Sequence, residues 1–173
     1  MNHETPWYRA AWLLLFFGVL STIGCKNTDV LWQGRPVFED DARESAVRDR
    51  LEAYYADFSA RDWDAFASHF WPGATITTIW QPPGESQMRV VSSSVPAFVE
   101  QAPDGPGSKE IFSERMKSSD LQIEGTIAVA WVTYDAEFGD PGDVRRWTGK
   151  DVVTLMINDG VWKIVSLAFQ SDE

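Results

Sequence analysis

The chain has 173 residues, and its 15 Lys and Arg against 26 Asp and Glu leave a net charge of -11 at neutral pH. That acidic excess excludes an unselective nucleic-acid binder, which needs a basic face against the phosphates. Without the 24 residues before Cys25, 149 remain, enough for one domain with its own core, and a single cysteine rules out an internal disulfide.

Ala10 to Gly24 (AAWLLLFFGVLSTIG) runs fifteen residues without a charge behind Arg9. This is a signal-peptide hydrophobic region, shorter than the roughly 20 residues a bilayer span takes. It stops at Gly24-Cys25, which resembles the end of a bacterial lipobox, although Thr22 and Ile23 stand where Leu and a small residue are usual. The resemblance implies a lipid on Cys25 as the mature N-terminus. Lys26 in place of Asp resembles the outer-membrane, periplasm-facing address of Gram-negative lipoproteins. The expected division is therefore a signal peptide over 1–24, a lipidated cysteine and tether over 25–40 and a domain over 41–173. The lipid would be the chain's only tie to a membrane.

From Asp41 the pattern turns helical, with Val47, Leu51, Tyr54 and Phe58 on one face. Asp62 can cap a second short helix carrying Trp63, Phe66 and Phe70, which Pro72-Gly73 would stop. ATITTIW over 74–80 and MRVVS over 88–92 read as strands, and Ser94 begins a third helix. After the loop PDGPG, four strands are expected near 111–117, 120–138, 147–157 and 161–170. Helices followed by long antiparallel strands make an α+β fold with the helices on one face of a curved sheet.

Hairpin turns sharpen the register. A two-residue turn at Asp159-Gly160 would set Ile157 opposite Trp162, Leu155 opposite Ile164, Val153 opposite Ser166 and Asp151 opposite Ala168. A turn centred on Gly142-Asp143 would set Tyr134 opposite Asp151 and Phe138 opposite Trp147. One face then carries Ala128, Ala130, Val132, Tyr134, Val153, Leu155, Ile157, Trp162 and Ile164. The other carries Val129, Trp131, Val152, Met156, Val165, Leu167 and Phe169, an apolar patch that a homodimer would cover. Asp135 and Glu137 share a solvated face, where Lys150 opposite Asp135 makes an ion pair. His69 is a boundary residue between Phe66 and Phe70, and one histidine without a cysteine pair cannot build a zinc site.

AYYADFSARDWDAFASHFWPGATIT, followed by AVAWVTYDAEF and DGVWKIVSLAF, resembles the nuclear transport factor 2-like superfamily, in particular its SnoaL-like and ketosteroid-isomerase-like bacterial members, over about residues 43 to 170. The resemblance implies a cone: a bent sheet wrapped over about three helices, with a pocket at the open end. Ketosteroid isomerases pair a general-base Asp with a Tyr and a protonated Asp in an oxyanion hole. By this match the Tyr falls on Tyr54, the acid near Asp151 and the base on Thr78, which cannot take a proton at neutral pH. The histidines of many SnoaL-like final strands are also missing, their stretch reading IVSLAFQ from Ile164 to Gln170.

The pocket residues expected are Tyr54, Phe58, Tyr134, Asp151, Ser166 and Gln170. Among them Asp151, flanked by Val153, Trp147 and Phe138, would resist ionisation and donate a hydrogen bond. The function expected is binding of a small, mostly apolar molecule at the cell envelope, without catalysis and without a cofactor. The alternatives are an isomerase, cyclase or dehydratase using Asp151, Tyr54 and Tyr134, and a dimeric interaction module whose cone is packed shut.

Overall fold

The computed structural model describes residues 37–81 and 86–172, so the hydrophobic run, Cys25 and most of the tether lie outside the described residues. Among the described residues three α-helices, α1 (Val37–Ala60), α2 (Trp63–Ser68) and α3 (Val95–Gln101), and a 3₁₀ turn over Ala102–Asp104 accompany six strands. These are β1 (Phe70–Trp80), β2 (Arg89–Ser94), β3 (Ile111–Glu124), β4 (Ile127–Asp140), β5 (Asp143–Asn158) and β6 (Val161–Asp172). The strands form one sheet in the order β2-β1-β6-β5-β4-β3, antiparallel except where β1 runs parallel to β6. The α+β fold is the one expected: helices on one face of a curved sheet, with the core between them.

Local chemistry explains most of the element ends. α1 starts four residues earlier than the apolar period, and its inner face holds Val47, Leu51, Tyr54, Tyr55 and Phe58, all buried. The Asp62 carboxylate caps α2 by accepting from the Ala65 N–H at 3.0 Å. α2 ends at Ser68, ahead of Pro72-Gly73, and those two residues lie within β1, where the pairing with β6 shifts. Ser94 caps α3 as expected.

Asp159 and Gly160 both take positive φ, +50° and +77°, the conformation of the two-residue turn expected there. Ile157 and Leu155 face Trp162 and Ile164 as that turn requires. Beyond them the expected register fails, because Val165 is an extra residue on β6 between the Leu155–Ile164 and Thr154–Ser166 pairs. The bulge reverses the faces of the rest of β6. Val153 therefore faces Leu167 and Asp151 faces Phe169, in place of Ser166 and Ala168. Leu167 is buried and Phe169 packs on the core, so neither belongs to the outer patch.

Two further corrections concern turns. The turn after β4 is Pro141-Gly142, since Asp140 pairs with Asp143. Proline supplies a preset φ at the first position, and Gly142 a φ of +92° at the second. The register moves by two residues, which preserves the faces but changes the partners: Tyr134 faces Gly149, Phe138 faces Arg145, and Val132 faces Asp151. Asp135 accordingly pairs with Lys117 at 3.3 Å, while Lys150 bonds to Thr133 at 2.6 Å. Residues 120–124 close β3 and do not begin β4; the chain reverses after them at Gly125. A second bulge, at Lys117, carries Phe112, Glu114 and Met116 onto the same inner face as Leu121 and Ile123.

β3 ends the sheet, and α1 lies along it. Arg43 donates to the Gly125 carbonyl, Arg48 to the Ser119 carbonyl at 3.2 Å and Arg61 to the Lys109 carbonyl at 2.6 Å. Ser59 is used twice: its hydroxyl donates to the Glu114 carbonyl at 2.6 Å and accepts the Glu114 N–H at 2.8 Å. The backbone that carries Glu114 is thereby held from the helix.

Candidate functional site

The inner faces of α1, β1, β3, β5, β6 and α3 meet at a small cavity of about 30 Å³ lined by Tyr54, Phe58, Ile76, Phe98, Glu114, Asp151, Leu167 and Phe169. Ile76, Phe98 and Phe169 also border a wider opening of about 590 Å³, which Trp80, Val91, Gln101, Asp104 and Phe138 help to line. The small cavity is thus the inner end of a funnel. It has room for a water molecule or a group of similar size. Aromatic rings take the remaining space: Phe58 lies against Tyr54, Phe66, Phe98 and Phe112 with centroids 5.0 to 6.1 Å apart.

Asp151 is the polar floor of the funnel, 2% exposed. The Tyr55 hydroxyl donates to its Oδ2, and its Oδ1 is buried without a hydrogen-bond partner. Burial pushes the carboxyl up to about 7, against the opposing pull of the Tyr55 hydrogen bond. Glu114, on β3, borders the same cavity, and burial followed by the nearby Asp151 charge pushes it up to about 8. Burial and then the Asp151 charge also hold the Tyr54 and Tyr55 hydroxyls well above the usual phenol range. The site therefore holds two carboxyls that titrate near neutrality and two phenols that stay protonated.

Of the residues expected here, Tyr54, Phe58 and Asp151 meet at the cavity. Tyr134 stands behind it: its ring packs on Tyr55 at 6.4 Å and its hydroxyl donates to the Gln170 carbonyl at 3.4 Å. Ser166 and Gln170 are turned to the outer face by the Val165 bulge, and Gln170 lines an outer groove of about 850 Å³. Phe138 sits at the opening and Trp147 opposite Ala136, so neither flanks Asp151. Thr78, in the general-base position of the resemblance, borders the opening with its hydroxyl donating to the Phe169 carbonyl at 2.9 Å.

Tyr55 and Glu114 were not among the residues expected. Tyr55 lies four residues after Leu51, hence on the same helical stripe, and Glu114 lies between Phe112 and Met116 on an inward-facing alternation. His69 is buried, its Nδ1 taking the Arg50 guanidinium N–H at 3.0 Å, which leaves Nε2 to donate to Asp57 at 2.7 Å. This pair ties α1 to the start of β1 and borders neither the cavity nor the opening.

No family model and no curated protein matches the chain. Solved structures do. A variant of Rv3472, a Mycobacterium tuberculosis protein of unknown function, superposes with a TM-score of 0.66 at 16% identity, covering 80% of this chain and 77% of that one. The hexachlorocyclohexane dehydrochlorinase LinA-type3 from Novosphingobium barchaimii gives 0.64 at 13% identity, over 80% of this chain and 92% of that one. An NTF2-like protein with a cystatin-like fold from Novosphingobium aromaticivorans gives 0.62 at 11% identity, over 85% and 93%. With the sheet order, the helix placement and these superpositions together, the fold of this chain is that of the nuclear transport factor 2-like proteins.

Proposed function

We propose that the domain binds a small, mostly apolar molecule in the funnel, with Asp151 as its polar anchor. The observation that carries this reading is the unpartnered Oδ1 of Asp151 at the floor of an opening whose wall is mostly apolar, with Ser93, Gln101 and Asp104 among its polar members. A buried polar atom without a partner costs about 1 to 3 kcal/mol, which a bound group with a matching hydrogen bond would recover. Binding of the neutral dye Nile red tests the pocket. Ser93→Trp, which fills the opening, is expected to weaken the dye at least about fivefold, by simple loss of volume. Trp131→Ser, on the outer face, is expected to leave it unchanged. The opposite pattern would move the dye to the outer groove and end the reading.

A second reading, catalysis of isomerase, cyclase or dehydratase type, is favoured by one observation: a carboxyl held at about 7 beside a phenol can give and take a proton at neutral pH. A pH–rate profile bending near that value, and losing the bend in Asp151→Asn, would mark an enzyme.

Two further parts of this proposal concern assembly. Trp131, 60% exposed, with Val129, Val152, Met156 and Val165 still makes an outer apolar surface fit for a homodimer, now without Leu167 and Phe169. Sedimentation of the parent against Trp131→Glu reads it. The envelope tether through Cys25 rests on the sequence, and the intact mass of the envelope fraction reads the lipid.

A further inference from the structure

Asp151 and Glu114 present two carboxyls to one cavity, and no Lys, Arg or His is among the described residues that line the cavity or its opening. Arg115 borders the groove on the other side of Glu114, with Glu52 and Tyr55, and a second groove with Lys117, Asp135 and Glu137. The remaining titratable groups around the cavity are Tyr54 and Tyr55 of α1 and Tyr134 of β4, all phenols, and Asp104 at the opening. Ionising both carboxyls so placed is costly, and a positive charge between them would offset that cost. Tyr55 already donates to Oδ2 of Asp151, so the free oxygen, Oδ1, calls for a second donor. An ammonium group has three donors and no acceptor, which suits two carboxylates better than a carbonyl would. Tyr54, Phe58, Phe98 and Phe169 make the rest of that lining largely aromatic, a surround that also tolerates a cation.

Size narrows the class. The cavity of about 30 Å³ has room for a primary ammonium head and suits it better than a bulkier quaternary one. The wider opening, about 590 Å³, shares Ile76, Phe98 and Phe169 with the cavity and adds Trp80 and Phe138 to polar Ser93, Gln101 and Asp104, so it suits a mostly apolar body. Resting on the pocket reading above, we infer that the funnel takes a primary amine with an apolar or aromatic body. Its ammonium group lies between the Asp151 and Glu114 carboxylates, and its body occupies the opening beside Trp80 and Phe138.

Calorimetric titration of the purified protein with 2-phenylethylamine and with its neutral counterpart 2-phenylethanol tests this assignment. An alkylamine keeps its proton below about pH 10, as lysine does, so any change between about pH 6 and about pH 8.5 comes from the protein. The amine is expected to tighten at least about tenfold over that interval, as the two carboxyls ionise, while the alcohol does not tighten. Asp151→Asn and Glu114→Gln, which keep shape and hydrogen-bonding capacity, are each expected to weaken the amine about tenfold and to leave the alcohol nearly unaffected. Alcohol binding that equals or exceeds amine binding, with weakening as pH rises, would overturn the amine assignment and leave the pocket standing. An amine affinity indifferent to pH and to both variants would overturn it as well. If neither compound binds, the pocket reading falls together with it. The pH series on the unmodified protein decides even if a variant misfolds.

Discussion

Denaturant unfolding is expected to show the domain losing stability as the pH is raised from about 5 to about 8, by on the order of 3 kcal/mol. The cause is the pair of carboxyls at the cavity, Asp151 buried and Glu114 half-buried. Asp151 moves from an ordinary value of 3.8 to about 7 on folding, and Glu114 from 4.5 to about 8. Between the unfolded and folded values the native state binds more protons than the unfolded chain. The contribution is therefore fully present below the unfolded values and is lost as pH rises through the folded ones. Most acidic domains behave in the opposite way over this interval, because paired carboxylates favour high pH. Asp151→Asn is expected to remove more than half of the slope, since an amide keeps the Tyr55 hydrogen bond, has no proton to lose and takes away the charge that helps raise Glu114. A parent whose stability is flat or rises from pH 5 to pH 8 would show that neither carboxyl is held in its neutral form.

Gly149→Ala is expected to destabilise the domain by about 2 kcal/mol, the ordinary cost of forcing a methyl group into a packed core. Gly149 lies opposite Tyr134 in the β4–β5 pairing, and a Cβ there would overlap the far end of the Tyr134 ring. That ring is buried against Tyr55, so it cannot yield without disturbing the phenol that bonds Asp151. Thermal melts of a double-mutant cycle check the assignment: Gly149→Ala should cost much less in a Tyr134→Leu background, where the obstructing ring is gone. Additive costs would place the clash elsewhere.

Much of this architecture was legible because local chemistry and packing agree. The α1 stripe, the Asp62 and Ser94 caps and the Asp159-Gly160 turn are each specified by a few neighbouring residues, and all formed where expected. Register is less local. The bulge at Val165 leaves a trace, since the large inward residues switch from even positions, Trp162 and Ile164, to odd ones, Leu167 and Phe169. A strictly alternating reading overrides that trace and turns Ser166 into the pocket. The Pro141-Gly142 turn was equally readable from proline's fixed φ, yet a turn centred one residue later competes with it. Asp151 was placed correctly on the inner face because a two-residue slip preserves faces. Its partners were not, because Tyr55 and Glu114 reach it only when α1 and β3, well separated in the chain, are brought together.

The row of side chains from α1 and the residue after it, bonded along β3, also bears on how the chain is made. An edge strand of fourteen residues with free N–H and C=O groups is a template for pairing with another molecule, and here Arg43, Arg48, Ser59 and Arg61 occupy carbonyls along it and at its two ends. During synthesis α1 leaves the ribosome some fifty residues ahead of β3, so the cover exists before the edge does. A circular permutation that moved α1 behind β6 would keep its side-chain contacts with β3 in the finished fold. It would also expose that edge for the whole time the sheet takes to emerge, and would put the cost in aggregation during expression rather than in stability.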